Sequence, residues 1–279
     1  MRSAPVTFRR IDPVVLIAHG SRDPRAAAAT RALARAVAAA RPGLPVHDSY
    51  LDHTEPAPGR VLHELAAAGH ERVTVVPLLL TAAYHGRVDI PAVLSAAREE
   101  GLRLSVRVGD VLGPVNGRVD LALLAGLRRR LTEAVTEPSA ATGPTPTGRT
   151  PTGRSVGGTA SFDAVVLAAA GTRDAAARRT VEHAARALGA TLGVPCLAGY
   201  ASAAPPTAGE AVAQLRAAGA ARVAVAAYFL APGQLYETAM ASARDAGAVA
   251  FATPLEAVPE IARLVLTRVD TAVVDRATG

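Results

Sequence analysis

The sequence predicts an α/β protein built from two similar lobes, each a parallel four-stranded sheet flanked by helices. Its 279 residues exceed the roughly 100 to 200 that one average domain needs. Each half alternates short β-branched runs with alanine-rich helical stretches, which is the pattern of βαβ units around a parallel sheet. Apolar residues make up 50% of the chain, so a buried core is expected and global disorder is excluded.

An internal repeat relates the two halves. Residues 14–23, VVLIAHGSRD, match residues 165–174, VVLAAAGTRD, at a displacement of 151 positions. A second block, 65–75, matches 215–225 at a displacement of 150. Two blocks in nearly constant register indicate a duplicated unit.

A segment rich in Thr, Pro, Gly and Ser separates the two copies. It covers residues 136–160 and contains few apolar residues to bury, which predicts a flexible linker. The sequence therefore predicts a first repeat over residues 1–135, a linker over 136–160 and a second repeat over 161–279.

Each repeat contains four apolar, β-branched runs that predict strands. They cover residues 14–18, 46–51, 73–80 and 104–108 in the first half, and 164–169, 195–200, 223–230 and 248–252 in the second. Helices are predicted between them. Asp23 followed by Pro24 indicates a helix start, because the carboxylate can cap free N–H groups and proline suits the first helical position. Pro91 indicates a second helix start.

The composition excludes several classes of function. All 30 basic residues are arginine, and the absence of lysine excludes Schiff-base chemistry and a Walker-type phosphate loop. One cysteine excludes a disulfide framework and a Cys-rich metal site, and fits a reducing compartment. Aromatic residues are only 3% and the arginines are scattered, so nucleic-acid binding is disfavoured. The net charge of +6 favours an anionic small substrate, although a bias in base composition explains the arginines equally well.

The sequence gives no indication of a membrane segment or a leader. No apolar run approaches the roughly 20 residues that a membrane span needs. Residues 1–12 lack the apolar core of a signal peptide. We therefore expect a cytoplasmic protein with no membrane partner.

Polar side chains follow three strands of the first half at the edge where parallel strands end. His19 comes directly after the first strand, Asp52 and Glu55 follow the second, and His85 follows the third. Ligands of parallel sheets bind beyond the carboxyl ends of the strands. Imidazole is a good ligand for Fe²⁺, Co²⁺ or Ni²⁺, so this set predicts a weak divalent-metal site.

Comparison of the two repeats shows whether the fold itself needs the histidines at positions 19 and 85. The second half has Ala170 opposite His19 and Leu235 opposite His85, so the fold does not require imidazole at either place. The turn Gly20-Ser21-Arg22 leads into a helix N-terminus, which favours an anionic group. Because the second half keeps this turn as GTRD, part of its role is structural. His53 is expected to point away from Asp52 if the strand continues.

Three motifs together resemble the sirohydrochlorin chelatases, a group of class II tetrapyrrole chelatases. They are HGSRDP at 19–24, YLDHTEP at 50–56 and VPLLLTAAYHGRVDIP at 76–91. The resemblance covers both halves and implies an active first half and a degenerate second half. It also implies that the active site lies in the cleft between two chelatase-like lobes.

The resemblance implies roles for individual residues. His19 and His85 would hold a divalent ion, and Asp52 or Glu55 would assist as a carboxylate or proton acceptor. The family often has glutamate where this chain has Asp52, so Glu55 is an alternative. Contacts to the substrate are implied for Gly20, Ser21, Arg22 and Tyr84.

The metal would be a substrate and no cofactor would be retained. Fe²⁺ insertion for sirohaem is favoured, with Co²⁺ insertion for cobalamin as the alternative; Ni²⁺ also suits these ligands. A monomer is expected, because the duplication supplies both lobes in one chain.

Two rival functions remain at the level of the sequence. A histidine phosphatase would have arginine before its nucleophilic histidine, but Ala18 precedes His19 here, so this class is disfavoured. A non-catalytic tetrapyrrole or metal carrier would use the same ligands, and the sequence alone does not separate it from a chelatase.

Overall fold

The computed structural model describes residues 11–81, 90–136 and 162–274. The described strands and helices alternate along both halves as the repeat predicts. Those of the first half are β1 (Val14–Ala18), α1 (Pro24–Ala40), β2 (Val46–Tyr50), α2 (Pro58–Ala67), β3 (Arg72–Pro77), α3 (Ile90–Glu99), β4 (Ser105–Val108) and α4 (Leu121–Thr136). Those of the second half are β5 (Ala164–Ala169), α5 (Ala175–Leu192), β6 (Cys196–Tyr200), α6 (Ala208–Ala217), β7 (Val223–Ala227), α7 (Gln234–Asp245), β8 (Ala250–Phe251), α8 (Pro259–Thr271) and β9 (Val273–Val274).

Two parallel sheets form the two lobes, which confirms the predicted fold class. The strand order is β2-β1-β3-β4 in the first sheet and β6-β5-β7-β8 in the second. One addition was not predicted: β9 pairs antiparallel with β4, so the end of the described chain returns to the first sheet. A strand of two residues carries no alternating pattern that a sequence could show.

The two faces of each sheet pack against different helices. In β1, Val14 and Leu16 face one core, and Val15 and Ile17 face another that includes α2 and α3. In the second lobe, α6 and α7 cover the corresponding outer face. This alternation is the period of two that a strand imposes.

The inner faces of the two sheets share one core because the last helix of each half crosses to the other lobe. Helix α4 packs on α5, β7 and β8 of the second lobe, and α8 packs on α1 and β3 of the first. The central apolar cluster accordingly contains residues of both halves, such as Leu127 and Val265. The interface between the lobes is therefore a shared core.

Charged pairs reinforce this exchange of helices. Arg129 of α4 donates to both carboxylate oxygens of Glu260 in α8, at 2.8 and 2.9 Å. Glu260 is 6% exposed, and the hydrogen bonds from Arg129 hold its pKa below the ordinary value. Arg268 Nε donates to the carbonyl of Val111 at 2.9 Å. Each crossing helix is thus joined to the other half by polar contacts that are buried or partly buried.

The start of α1 confirms the predicted cap, because the Asp23 carboxylate accepts a hydrogen bond from Arg25 N and Pro24 is the first helical residue. Pro91 is the second residue of α3, next to its predicted start. Two strands end three residues earlier than predicted: β3 ends at Pro77 and β7 at Ala227. The apolar residues after these strands pack beyond the sheet, so hydrophobicity does not mark where pairing stops.

Among the described helices, none is both long and apolar enough to cross a bilayer. Of the predicted linker, only Thr136 lies within the described residues.

Candidate functional site

A cleft of about 770 Å³ opens between the lobes at the carboxyl ends of β1 and β7. We call it the interlobe cleft. Its size lies within the range of about 300–1000 Å³ that small-molecule sites occupy. From the first half it is lined by His19, Gly20, Ser21, Arg22, Asp23, Arg25 and His53, and from the second by Ala170, Phe229, Ala231, Gly233, Gln234, Leu235, Tyr236 and Glu237.

The turn after β1 presents His19 to this cleft. Asp52 N donates to the His19 carbonyl at 2.9 Å, which joins the turn to the end of β2. Gly20 has φ +93°, and a Cβ there would collide with the Asp52 carbonyl oxygen. Gly171 repeats this geometry against Ser202 in the second lobe, so the glycine is a structural requirement of the turn. The His19 side chain is exposed at the cleft.

Ser21 and Arg22 continue the lining of the cleft. Ser21 Oγ accepts a hydrogen bond from Asp23 N at 3.1 Å. The Thr54 hydroxyl donates to the Ser21 carbonyl at 3.1 Å. The turn is thereby held at both ends, while the Arg22 side chain is exposed in the cleft.

The segment after β2 brings His53, rather than the neighbouring carboxylates, into the lining of the cleft. The expectation that His53 points away assumed a continued strand, but β2 ends at Tyr50 and His53 has φ +58°. Asp52 holds His53 twice: Oδ1 accepts from His53 N at 2.8 Å, and Oδ2 lies 3.2 Å from His53 Nε2. Glu55 Oε2 accepts from Ala57 N at 3.1 Å. Two nearby carboxylates are therefore engaged in local contacts.

His85 and Tyr84 fall at 82–89, outside the described residues. The described chain stops at Thr81 after β3 and resumes at Ile90, the first residue of α3. Among the described residues, no group of three or more His, Cys, Asp or Glu side chains is arranged to hold a metal ion. The described part of the cleft contains two imidazoles, His19 and His53.

The second half forms a mainly apolar and aromatic wall of the cleft, with Gln234 and Glu237 as its polar residues. Ala170 and Leu235, the counterparts of His19 and His85, both line it, and Leu235 is 43% exposed. The rings of Phe229 and Tyr236 pack edge to face with centroids 5.7 Å apart. Such a wall fits the flat apolar face of a ring system.

A smaller pocket of about 250 Å³ adjoins the cleft and shares His19 and Phe229 with it. Its other walls include Leu33, Tyr50 and Leu78. The Tyr50 hydroxyl donates within this region to Asp48 Oδ2 at 2.8 Å. The pocket is mostly apolar, so it suits a small apolar group beside His19.

A hydrogen bond from a buried tyrosine joins the second lobe to the chain that leads toward His85. The Tyr228 hydroxyl donates to the Leu80 carbonyl at 2.9 Å. Gly113 allows this approach, because a Cβ there would collide with the same carbonyl. Leu80 comes five positions before His85 in the sequence.

The two duplicated lobes and the cleft between them define a two-lobed chelatase-type α/β protein. The CbiX family model matches residues 13–134 and 164–272, so the chain belongs to the CbiX family, a chelatase family. The match covers both repeats, in agreement with the resemblance found in the sequence. No curated protein matches the chain significantly.

Solved structures share the whole architecture at low sequence identity. SirB from Bacillus subtilis with Fe³⁺ has a TM-score of 0.73 and 20% identity, over 93% of this chain and 94% of that one. The sirohydrochlorin chelatase SirB from Bacillus subtilis subspecies spizizenii in complex with cobalt has a TM-score of 0.69 and 19% identity, with the same coverage. A multi-domain protein from Deinococcus radiodurans with structural similarity to chelatases has a TM-score of 0.58 and 20% identity; the match spans 96% of this chain and 58% of that one. These similarities establish the fold.

Proposed function

We propose that this protein inserts a divalent metal ion into sirohydrochlorin, with Fe²⁺ as the favoured ion and sirohaem as the product. The observation that carries the proposal is the exposed His19 imidazole in a cleft whose opposite wall is mainly apolar and aromatic. One side can offer a metal while the other packs against a macrocycle. Membership of the CbiX family and the structures of SirB with iron and with cobalt support this reaction.

His19 and His85 are the proposed ligands of the incoming ion. The metal is a substrate, so the protein must bind it and then release it to the ring. Two neutral imidazoles without a thiolate suit this transfer, since they bind Fe²⁺, Co²⁺ and Ni²⁺ without the hold of a Cys-rich site. The second half has Ala170 and Leu235 in place of these two histidines, so the proposed metal ligands all come from the first half.

Proton acceptance is the second task of the site. Metal insertion replaces two pyrrole N–H protons by one M²⁺, and both protons must leave the ring. His53 lines the cleft with Asp52 Oδ2 at 3.2 Å from its Nε2, an arrangement that orients an imidazole. We therefore propose that His53 accepts a proton and that Asp52 is the assisting carboxylate. Glu55 is the alternative, but it is engaged with Ala57 N.

The peripheral carboxylates of the tetrapyrrole explain the polar edge of the cleft. Arg22 is exposed there, and Ser21 lies beside the N-terminus of α1, which favours negative charge. Tyr84 stays a proposed substrate contact. We propose that the reaction takes place in the cytoplasm with the protein as a monomer, since one chain supplies both walls of the cleft.

The experiment that tests this function is the absorbance change of metal-free sirohydrochlorin mixed with Fe²⁺ and purified protein under anaerobic conditions. We expect the wild type to exceed the spontaneous rate, and His19→Ala and His85→Ala to fall close to it. His63→Ala, at a partly exposed histidine on α2 outside the cleft, is the matched control and is expected to keep the wild-type rate. A wild-type rate equal to the spontaneous rate would favour a carrier.

Cobalt insertion for cobalamin is a second candidate, favoured by the cobalt complex of the structurally similar SirB. Competition among Fe²⁺, Co²⁺ and Ni²⁺ on one preparation decides between the metals. Imidazole and carboxylate ligands bind Co²⁺ and Ni²⁺ more tightly than Fe²⁺, so insertion rates must be compared as well as binding.

A further inference from the structure

We propose that Arg25 and Glu237 form an exchangeable ion pair across the interlobe cleft, in which a carboxylate of the tetrapyrrole replaces Glu237 on Arg25. This inference rests on the proposed function, because it concerns how the anionic substrate occupies the cleft. Arg25 Nη1 donates to Glu237 Oε1 at 3.2 Å, and both residues line the cleft. Their side chains are 58% and 53% exposed, so an incoming ligand can reach either one.

Asp23 orients the Arg25 guanidinium toward the second lobe. Arg25 Nε donates to both oxygens of Asp23, at 3.2 and 3.1 Å, and Nη2 donates to Oδ2 at 2.8 Å. The hydrogen bond to Asp23 is the main reason that the pKa of Arg25 lies above its ordinary value. The guanidinium is thus already positioned, and Nη1 is the nitrogen that reaches across the cleft. A group held in advance loses little conformational entropy when it binds a carboxylate.

The repeat shows that the fold does not require Arg25. The second copy keeps the same helix cap, since Asp174 Oδ1 accepts from Ala176 N at 2.8 Å. Ala176 stands at the position of Arg25, at the same displacement of 151 that relates the first blocks. Arginine at this place therefore belongs to the half that contains His19, and a capping role alone does not explain it.

Glu237 has the features of a replaceable partner. It lies in the first turn of α7, where a carboxylate is favoured by the helix dipole even without Arg25. Exposed ion pairs contribute little stability, so another carboxylate can take its place at small cost. The exchange keeps Arg25 paired in both states.

The charges around the cleft predict that Glu237 lowers the affinity for the tetrapyrrole. Arg22 and Arg25 are balanced by Asp23 and Glu237, so the edge has no net charge before a ligand binds. A polycarboxylate must displace Glu237 and then remain near its negative charge. Glu237 therefore weakens binding of the free macrocycle and of the metallated product, and favours release.

The test measures binding of metal-free uroporphyrin, an octacarboxylate tetrapyrrole, by its fluorescence at low ionic strength. The variants are Glu237→Gln, Arg25→Gln and the double variant. Matched controls are Glu71→Gln and Arg103→Gln, exposed residues at the amino ends of β3 and β4, which change the net charge equally at the opposite edge of the first sheet. Thermal unfolding checks that every variant is folded.

We expect Glu237→Gln to lower the Kd about threefold or more relative to Glu71→Gln, and Arg25→Gln to raise it by a similar factor relative to Arg103→Gln. In the Arg25→Gln background, Glu237→Gln should lower the Kd by a smaller factor than it does with Arg25 present, because only the charge repulsion of Glu237 then remains to be removed. The exchange would be overturned if Glu237→Gln changed the Kd equally with and without Arg25, or did not change it at all. It would also be overturned if no variant bound uroporphyrin.

Sirohydrochlorin metallation on the same preparations separates this inference from the proposed function. Metallation without the predicted pattern of Kd values rejects only the exchange. The pattern without metallation rejects only the proposed reaction.

Discussion

The Tyr228 hydroxyl donates a hydrogen bond to the Leu80 carbonyl at 2.9 Å, and so ties the end of β7 to the chain that follows β3 in the other lobe. Tyr228 is 3% exposed, and burial raises the pKa of its hydroxyl. It therefore acts as a neutral donor across the boundary between the lobes.

Tyr228→Phe is expected to lower the free energy of unfolding by about 1 to 2 kcal/mol, because the Leu80 carbonyl loses its buried donor. The matched control is Tyr200→Phe, since the buried Tyr200 hydroxyl has no hydrogen-bond partner among the described residues. The control is expected to be neutral or slightly stabilising. Urea unfolding of both variants checks this, and equal losses of unfolding free energy would show that the bond to Leu80 contributes nothing.

Because Leu80 precedes His85 by five positions, we also expect Tyr228→Phe to slow metallation and Tyr200→Phe to leave its rate unchanged.

The buried Glu260 predicts a dependence of stability on pH. Its pKa is lowered by Arg129, so the ion pair contributes above the ordinary carboxyl value of 4.5 and is lost as the pH falls through the lower folded-state value. Glu260→Gln should cost about 1 to 3 kcal/mol at pH 7. This cost should shrink as the pH falls below about 4.5, as measured by urea unfolding. Glu71→Gln, an exposed carboxylate, serves as the control; a cost for Glu260→Gln that is independent of pH would contradict the assignment.

Gly20→Ala is expected to lower the free energy of unfolding by at least about 2 kcal/mol more than Gly101→Ala. Both glycines have positive φ, +93° and +95°, but only a Cβ on Gly20 meets backbone. Gly171→Ala should match Gly20→Ala in stability, because it meets the Ser202 carbonyl in the same way. Metallation measured at a temperature where both variants are folded should fall more in Gly20→Ala, which displaces His19. Equal rates in the two variants would contradict a site whose metal ligands all come from the first half.

His53→Gln is expected to lower kcat for metallation about 100-fold or more with little change in KM, as for the loss of a positioned proton acceptor. Asp52→Asn should give a smaller loss, since it removes only the group that orients the imidazole. Glu55→Gln is the comparison that decides between the two carboxylates. If Glu55→Gln loses more kcat than Asp52→Asn and His53→Gln, then Glu55 is the assisting group.

The elements of the fold could be predicted from the sequence because their signals are local. The apolar runs gave the four strands of each half, and Asp23 with Pro24 gave the start of α1. The exchange of α4 and α8 between the lobes was not predictable in this way. An amphipathic pattern shows that a helix has an apolar face, but does not show which sheet covers it.

The candidate site was predictable to a similar extent. The strand ends placed His19 at the cleft, as expected for parallel sheets. The expected direction of His53 depended on a continued strand, and its positive φ breaks that alternation. Positive φ is uncommon for any residue other than glycine, so the sequence did not indicate it. The pairing of Arg25 with Glu237 joins residues 212 positions apart, and only the packing of the lobes brings them together.

The most direct test of the proposed site is the affinity of the protein for Co²⁺ alone, measured by calorimetric titration for the wild type, His19→Ala, His85→Ala and the double variant. If one ion is shared by both imidazoles, each single variant should raise the Kd about tenfold or more, and the double variant should add little further loss. A wild-type Kd in either single variant, or losses that multiply in the double variant, would contradict a shared ion.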